Sequence, residues 1–123
     1  MKKVLFIEDD PDQVFLYREV FGIKGIDLKS AESGKRAMKM ITEDKPDLIL
    51  LDILLENENG LETLKELKRN ENTKKIPVIV FTNYKGKETK EEALKIGARD
   101  FIIKSQTVPE EMAAVVLRAM GTR

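Results

Sequence analysis

What most limits the folds open to this chain is a regular alternation of two hydropathy patterns. Short, nearly continuous apolar runs occur at Val4-Leu5-Phe6-Ile7, Asp47-Leu48-Ile49-Leu50-Leu51, Ile76-Pro77-Val78-Ile79-Val80-Phe81 and Phe101-Ile102-Ile103, with a weaker one at Ile26-Asp27-Leu28. Runs without polar alternation predict strands covered on both faces, as in a parallel sheet. Between them lie segments with apolar residues at helical spacing. The first carries Val14, Leu16, Tyr17, Val20 and Phe21 and stops near Gly22 and Gly25. The second follows Ser33, an expected N-cap, and turns Ala37, Met38 and Ile41 inward. The third has Leu61, Leu64 and Leu67; the fourth has Ala93, Leu94 and Ile96 and ends at Gly97. The fifth is expected to begin at Thr107, with Glu110 completing a capping box and Met112, Val115, Val116 and Met120 as its stripe.

Five strands alternating with five helices imply right-handed βαβ units. The expected fold is α/β: a doubly wound five-stranded parallel sheet, for which the order 2-1-3-4-5 would set the strand ends side by side. A length of 123 residues predicts one domain over 1–123. No linker or repeat interrupts the pattern, and the last helix is expected to run almost to Arg123, leaving no room for an output domain.

Composition removes several chemistries. The chain has no Cys, so disulfides, zinc–thiolate sites and thiol catalysis are excluded. It has no His, which excludes the Ser-His-Asp triad, imidazole-ligated metals and a histidine phosphocarrier. Lys+Arg and Asp+Glu are both 22, so no basic excess favours direct binding to nucleic acid. No apolar run approaches the ~20 residues of a membrane span, and the N-terminus does not read as a signal peptide. A cytoplasmic domain without membrane contact is expected.

In an open α/β sheet, ligands bind beyond the carboxyl ends of the strands. The apolar runs end in Glu8-Asp9-Asp10, Asp52, Thr82 and Lys104, and the expected strand order sets these ends side by side. Singly, each has an ordinary explanation as a loop acid, a cap, a strand threonine or a surface lysine. Together they gather acids, a hydroxyl and an ammonium. Three carboxylates (Glu8, Asp9, Asp52) about 5 Å apart repel by roughly 3 kcal/mol per pair at an effective dielectric of about 20, more than one lysine offsets. A divalent cation with all-oxygen ligation, Mg²⁺, suits such a set. Around one exposed Asp, these groups are equipped for phosphoryl transfer.

Four pieces in register resemble the receiver domain of bacterial two-component response regulators, over essentially the whole chain. They are Val4 to Pro11, Pro46 to Ile53 with Gly60 eight residues after Asp52, Ile76 to Thr82, and Gly97 to Lys104. The resemblance implies a signalling phosphoacceptor, not an enzyme acting on other molecules. Asp52 would take a phosphoryl group from a sensor histidine kinase or phosphotransfer protein. Asp9 and Asp52 would hold Mg²⁺ directly, with the backbone carbonyl of Leu54, and Glu8 through water. Thr82 and Lys104 would contact phosphoryl oxygens; Asp10 stays outside. Thr82 and the aromatic Phe101 would form the switch that alters contacts with an unnamed downstream protein.

Four positions depart from the family's usual pattern. Ser105 stands where a cis proline is usual, Phe101 where tyrosine is commoner, Asn83 where a small residue is usual, and Glu56 where proline is common. Asn83 is expected to narrow access to Asp52. The alternative reading is a pseudo-receiver, a docking module that is never phosphorylated. A haloacid-dehalogenase-like phosphatase would need a second acid two residues after the nucleophile, where Leu54 stands. A flavin binder would meet repulsion between its phosphate and Glu8-Asp9-Asp10.

Overall fold

The computed structural model describes residues 1–121. Five strands, β1 (Lys2–Ile7), β2 (Ile26–Ala31), β3 (Leu48–Leu51), β4 (Val78–Thr82) and β5 (Asp100–Ile103), form one sheet. They alternate with helices α1 (Pro11–Ile23), α2 (Gly34–Glu43), α3 (Gly60–Arg69), α4 (Lys87–Ile96) and α5 (Pro109–Ala119). The sheet order is β2-β1-β3-β4-β5, and every neighbouring pair is parallel. The parallel doubly wound sheet is the one the hydropathy pattern predicts, and its flavodoxin-like order is the one the receiver resemblance implies.

The continuous apolar runs divide by parity between two cores. Leu5, Ile7, Ile49, Leu51, Val78, Val80 and Phe101 pack with Ala37, Ile41, Leu64, Leu67 and Ala93 of α2, α3 and α4. Val4, Phe6, Leu48, Leu50, Ile79 and Phe81 pack with Val14, Tyr17, Phe21, Met112, Ala113 and Val116 of α1 and α5. Successive strand side chains point to opposite faces, so a strand covered on both sides has no polar position to spare. The weak second run belongs to the edge strand β2, in which Ile26 and Leu28 are buried in one core while Lys29 between Leu28 and Ser30 is exposed.

Several local expectations change. Pro77 lies before β4 and lacks an N–H, yet its carbonyl accepts from Ile49 N–H at 2.9 Å. Leu16 and Leu94 are exposed, so each lies off its helix's core stripe. The last helix begins at Pro109, not at Thr107. Pro favours the first helical position, and Glu111, not Glu110, reaches back to accept from Val108 N–H. That helix ends at Ala119; Arg123 lies outside the described residues. Ser33 caps α2 by accepting from Arg36 N–H at 3.1 Å, and Gly97 (φ 132°) ends α4 as expected.

Two features were not anticipated. A two-residue antiparallel ribbon joins Leu54–Leu55 to Glu58–Asn59, and a 3₁₀ turn covers Lys104–Gln106. Gly60 closes the ribbon against Ile53: a Cβ there would lie 2.3 Å from Ile53 Cα, so only glycine permits the approach.

Candidate functional site

The last rungs of the sheet position the acids. Glu8 N–H donates to Ala31 carbonyl at 2.9 Å, and Asp52 N–H to Ile7 carbonyl at 3.1 Å. Each acid is therefore the first residue past its strand, yet its backbone is still held by the neighbouring strand. Thr82 ends β4 opposite Ile103, which places Lys104 one step beyond.

The side chains converge on Asp52. Its Oδ1 accepts from the Thr82 hydroxyl at 2.8 Å and from Leu54 N–H at 2.9 Å. Its Oδ2 accepts from Lys104 Nζ at 2.7 Å. Glu8 Oε1 accepts from the same ammonium, while Oε2 accepts from Asp9 N–H at 3.0 Å and Asp10 N–H at 3.2 Å. Asp52 is thus not the exposed group expected: the residue is 5% accessible, covered by Thr82, Lys104 and the Leu54 amide. Lys104 is not a surface lysine either, with a side chain 9% accessible. Its ammonium sits 5.7 Å from the Phe6 ring centre and 6.0 Å from that of Phe81. These rings contribute cation–π attraction and exclude water beneath it.

Burial and pairing set opposing pressures. Burial raises the Glu8 carboxyl above its ordinary value; the Lys104 hydrogen bond opposes this, and the nearby Asp52 charge adds to it. Burial alone would lower the Lys104 ammonium, but its hydrogen bonds to Asp52 and Glu8 prevail and hold it above the usual lysine value. Every fully buried side-chain polar atom among the described residues has a partner.

The structure brings Glu8, Asp52, Thr82 and Lys104 into direct contact. The estimate of three mutually crowded carboxylates needs correction, because Lys104 bridges two of them and Asp9 faces elsewhere. Asp9 Oδ2 accepts from Glu56 N–H at 2.7 Å. Among the described residues, no three acidic side chains are grouped as a ready cage for a metal. The donor chemistry nonetheless fits a hard dication. Glu8, Asp9 and Asp52 carry three negative charges against one on Lys104, and all their donors are oxygen. Asp10 lies outside, as expected; it caps α1 by accepting from Asp12 N–H at 3.0 Å. Phe101 is buried in the core beneath α2, α3 and α4.

The departures at positions 56, 83 and 105 all make hydrogen bonds. The Glu56 amide serves Asp9, and the Asn83 carboxamide accepts from Ser105 N–H at 2.8 Å. Asn83 is therefore engaged by the loop after β5, which accounts for the side chain expected to narrow access to Asp52. All peptide bonds described are trans, including the one before Ser105. The aromatic floor of Phe6 and Phe81 was missed as part of the site. Its signal was present, since Phe81 directly precedes Thr82 and Phe6 lies two residues before Glu8, but the apolar pattern alone assigned both to the core.

Comparison with known proteins shows the family and the fold. A family model described as "Response regulator receiver domain" matches residues 4–116. The polar-differentiation response regulator DivK of Brucella ovis is 35% identical over 108 residues, spanning 88% of this chain and 88% of DivK. The BeF3-activated N-terminal receiver domain of Klebsiella pneumoniae RstA superposes with a TM-score of 0.87 at 29% identity, over 97% of this chain and 98% of that one. The Mn(2+)-bound form of response regulator Rcp1 gives 0.83 at 26% identity, over 95% of this chain and 92% of that one. The chain spans between a quarter and about half the length of the first curated relatives it matches.

Proposed function

The chain belongs to the response regulator receiver domain family, and from that premise we propose that Asp52 is a phosphoacceptor in a two-component relay. The supporting observation is the convergence of Thr82 and Lys104 on the two oxygens of Asp52. An Asp52 oxygen forms the new bond to phosphorus while the phosphorus–nitrogen bond of a phosphohistidine breaks. The nitrogen leaves with the bonding pair and takes up a proton. The Thr82 hydroxyl then donates to one phosphoryl oxygen and the Lys104 ammonium pairs with another, in place of their present bonds to Asp52.

Asp9, Asp52 and the Leu54 carbonyl would hold Mg²⁺, with Glu8 acting through water. When bound, the ion offsets charge on the phosphoryl oxygens. The Mn(2+) of Rcp1 and the BeF3 of RstA support both halves of this reading. The chain would catalyse only its own phosphorylation and dephosphorylation. Residues 1–123 are read as one receiver, meeting a sensor kinase or phosphotransfer protein in the cytoplasm. The added charge would draw Thr82 inward and shift Phe101, changing the affinity for a downstream protein.

Mass spectrometry after incubation with Mg²⁺ and acetyl phosphate is the test. One phosphoryl group should map to Asp52 and vanish in Asp52→Asn. Label that survives this substitution overturns the assignment. The docking-module reading draws on the engagement of Asp9 by the Glu56 amide. It requires that no label form at millimolar Mg²⁺.

A further inference from the structure

Two loops meet beside Asp52. The loop after β4 begins with Asn83, directly after Thr82; the segment after β5 begins with Lys104, followed by Ser105. The parallel ladder between these strands ends at Thr82 and Ile103. Beyond that pair, a side chain links the two segments: one residue past Thr82 and two past Ile103, Ser105 N–H donates to Asn83 Oδ1 at 2.8 Å. Ser105 lies in the 3₁₀ turn Lys104–Gln106, whose first amides have no partner within the turn. The carboxamide of Asn83 supplies one.

We infer that Asn83 is a positioning residue: by holding the Ser105 amide, it fixes the spacing between the Thr82 hydroxyl and the Lys104 ammonium around Asp52. This inference rests on the phosphoacceptor reading, since those two groups would contact the incoming phosphoryl. The bond needs an amide proton at position 105, which a proline would lack, and a side-chain acceptor at position 83, which an alanine would lack. The two residues are paired through this bond. With the bond made, a movement of Thr82 toward a phosphoryl oxygen carries the backbone of Ser105 with it. Lys104, covalently adjacent and already on Asp52 Oδ2, moves in step.

The test uses the full chain and two readouts. One is the rate at which acetyl phosphate with Mg²⁺ labels Asp52; the other is hydrogen exchange at the Ser105 amide by NMR. Asn83→Ala should slow labelling by about fivefold, the factor expected from one net hydrogen bond, and should speed Ser105 exchange. Ser105→Ala keeps the amide and should change neither. Asn83→Asp keeps an acceptor oxygen and should restore exchange protection. The double variant Asn83→Ala/Ser105→Pro should label no more slowly than the slower of its single variants. Multiplying rate effects would show that the residues act independently and overturn the inference. So would unchanged labelling or unchanged Ser105 protection in Asn83→Ala. A wild-type chain that takes no label overturns the phosphoacceptor reading itself and the positioning role with it. Normal wild-type labelling beside an unaffected Asn83→Ala overturns the positioning role alone.

Discussion

The two ends of the sheet carry the same ingredients in inverted proportion. At the carboxyl end, one lysine (Lys104) stands between two carboxylates (Glu8 and Asp52). At the amino end, one carboxylate (Asp44) stands between two lysines, 2.7 Å from Lys3 and 3.4 Å from Lys29. The difference is water. The Asp44 side chain is 40% accessible, and its lysines are more open still, whereas the three side chains at the other end are below 10%. Exposed pairs are screened and contribute little. Buried ones cost desolvation that their attraction barely offsets, so such a cluster is weak evidence for stability. Its presence at the carboxyl end points to chemistry. Shape does not make this distinction: a cleft of about 230 Å³ lined by Lys3, Lys29, Arg36 and Asp44 lies at the amino end.

Substitution of the lysines separates the two clusters most strongly. Lys104→Met leaves Glu8 and Asp52 buried and uncompensated and should lower stability by about 3 kcal/mol in urea at neutral pH. Lys3→Met should leave the urea midpoint unchanged. Equal shifts in the two variants would erase the distinction drawn from burial.

Titration sharpens the comparison, because the two clusters depend on pH with opposite sign. The Lys3 hydrogen bond holds Asp44 below its ordinary value of 3.8. Its contribution is therefore present above pH 3.8 and is lost as pH falls through the folded value. Burial holds Glu8 above 4.5 in the folded state. The folded chain binds that proton more tightly, so this contribution is present below pH 4.5 and is lost as pH rises through the folded value. In chelator, melting temperatures across a pH series should show Asp44→Asn flattening the acid limb below pH 3.8. Glu8→Gln should flatten the region above pH 4.5. A Glu8→Gln curve parallel to wild type there would contradict the burial of that charge.

The smallest expected effect concerns Asp9, the one of Glu8, Asp9 and Asp52 that Lys104 does not hold. Mg²⁺ should draw Asp9 from the Glu56 amide, and exchange at that amide should accelerate as the metal is titrated. An amide equally protected at saturating Mg²⁺ would place Asp9 outside the metal's reach.

Much of the carboxyl end was legible in the sequence. Glu8, Asp52, Thr82 and Lys104 each follow an apolar run, and a parallel sheet brings such positions to one edge whatever the loops do. The fold was legible for the same reason, since Leu48 to Leu51 has no polar residue and must be covered on both faces. Asp9 was only half legible: its place after β1 followed from the pattern, but its attachment to Glu56 did not. The cap of α5 was misplaced by one residue because Thr107 and Glu110 imitate a capping box, while the true cap is Val108 with Pro109 as the first helical residue. The ribbon Leu54–Leu55 with Glu58–Asn59 left no trace, since two-residue strands are too short to show a period.

From the sequence alone came the parallel sheet and the set of groups at its carboxyl edge, because both depend on local periodicity and on where an apolar run stops; the strand order followed from the family resemblance. Which groups bond to one another came only from the tertiary structure. Lys104 bridges Glu8 and Asp52, Asn83 holds Ser105, and Asp9 turns to Glu56. Each of these bonds joins loops from different strands, and its length is decided by register and by loop conformation after the sheet has closed. No pattern along one stretch of chain encodes that distance.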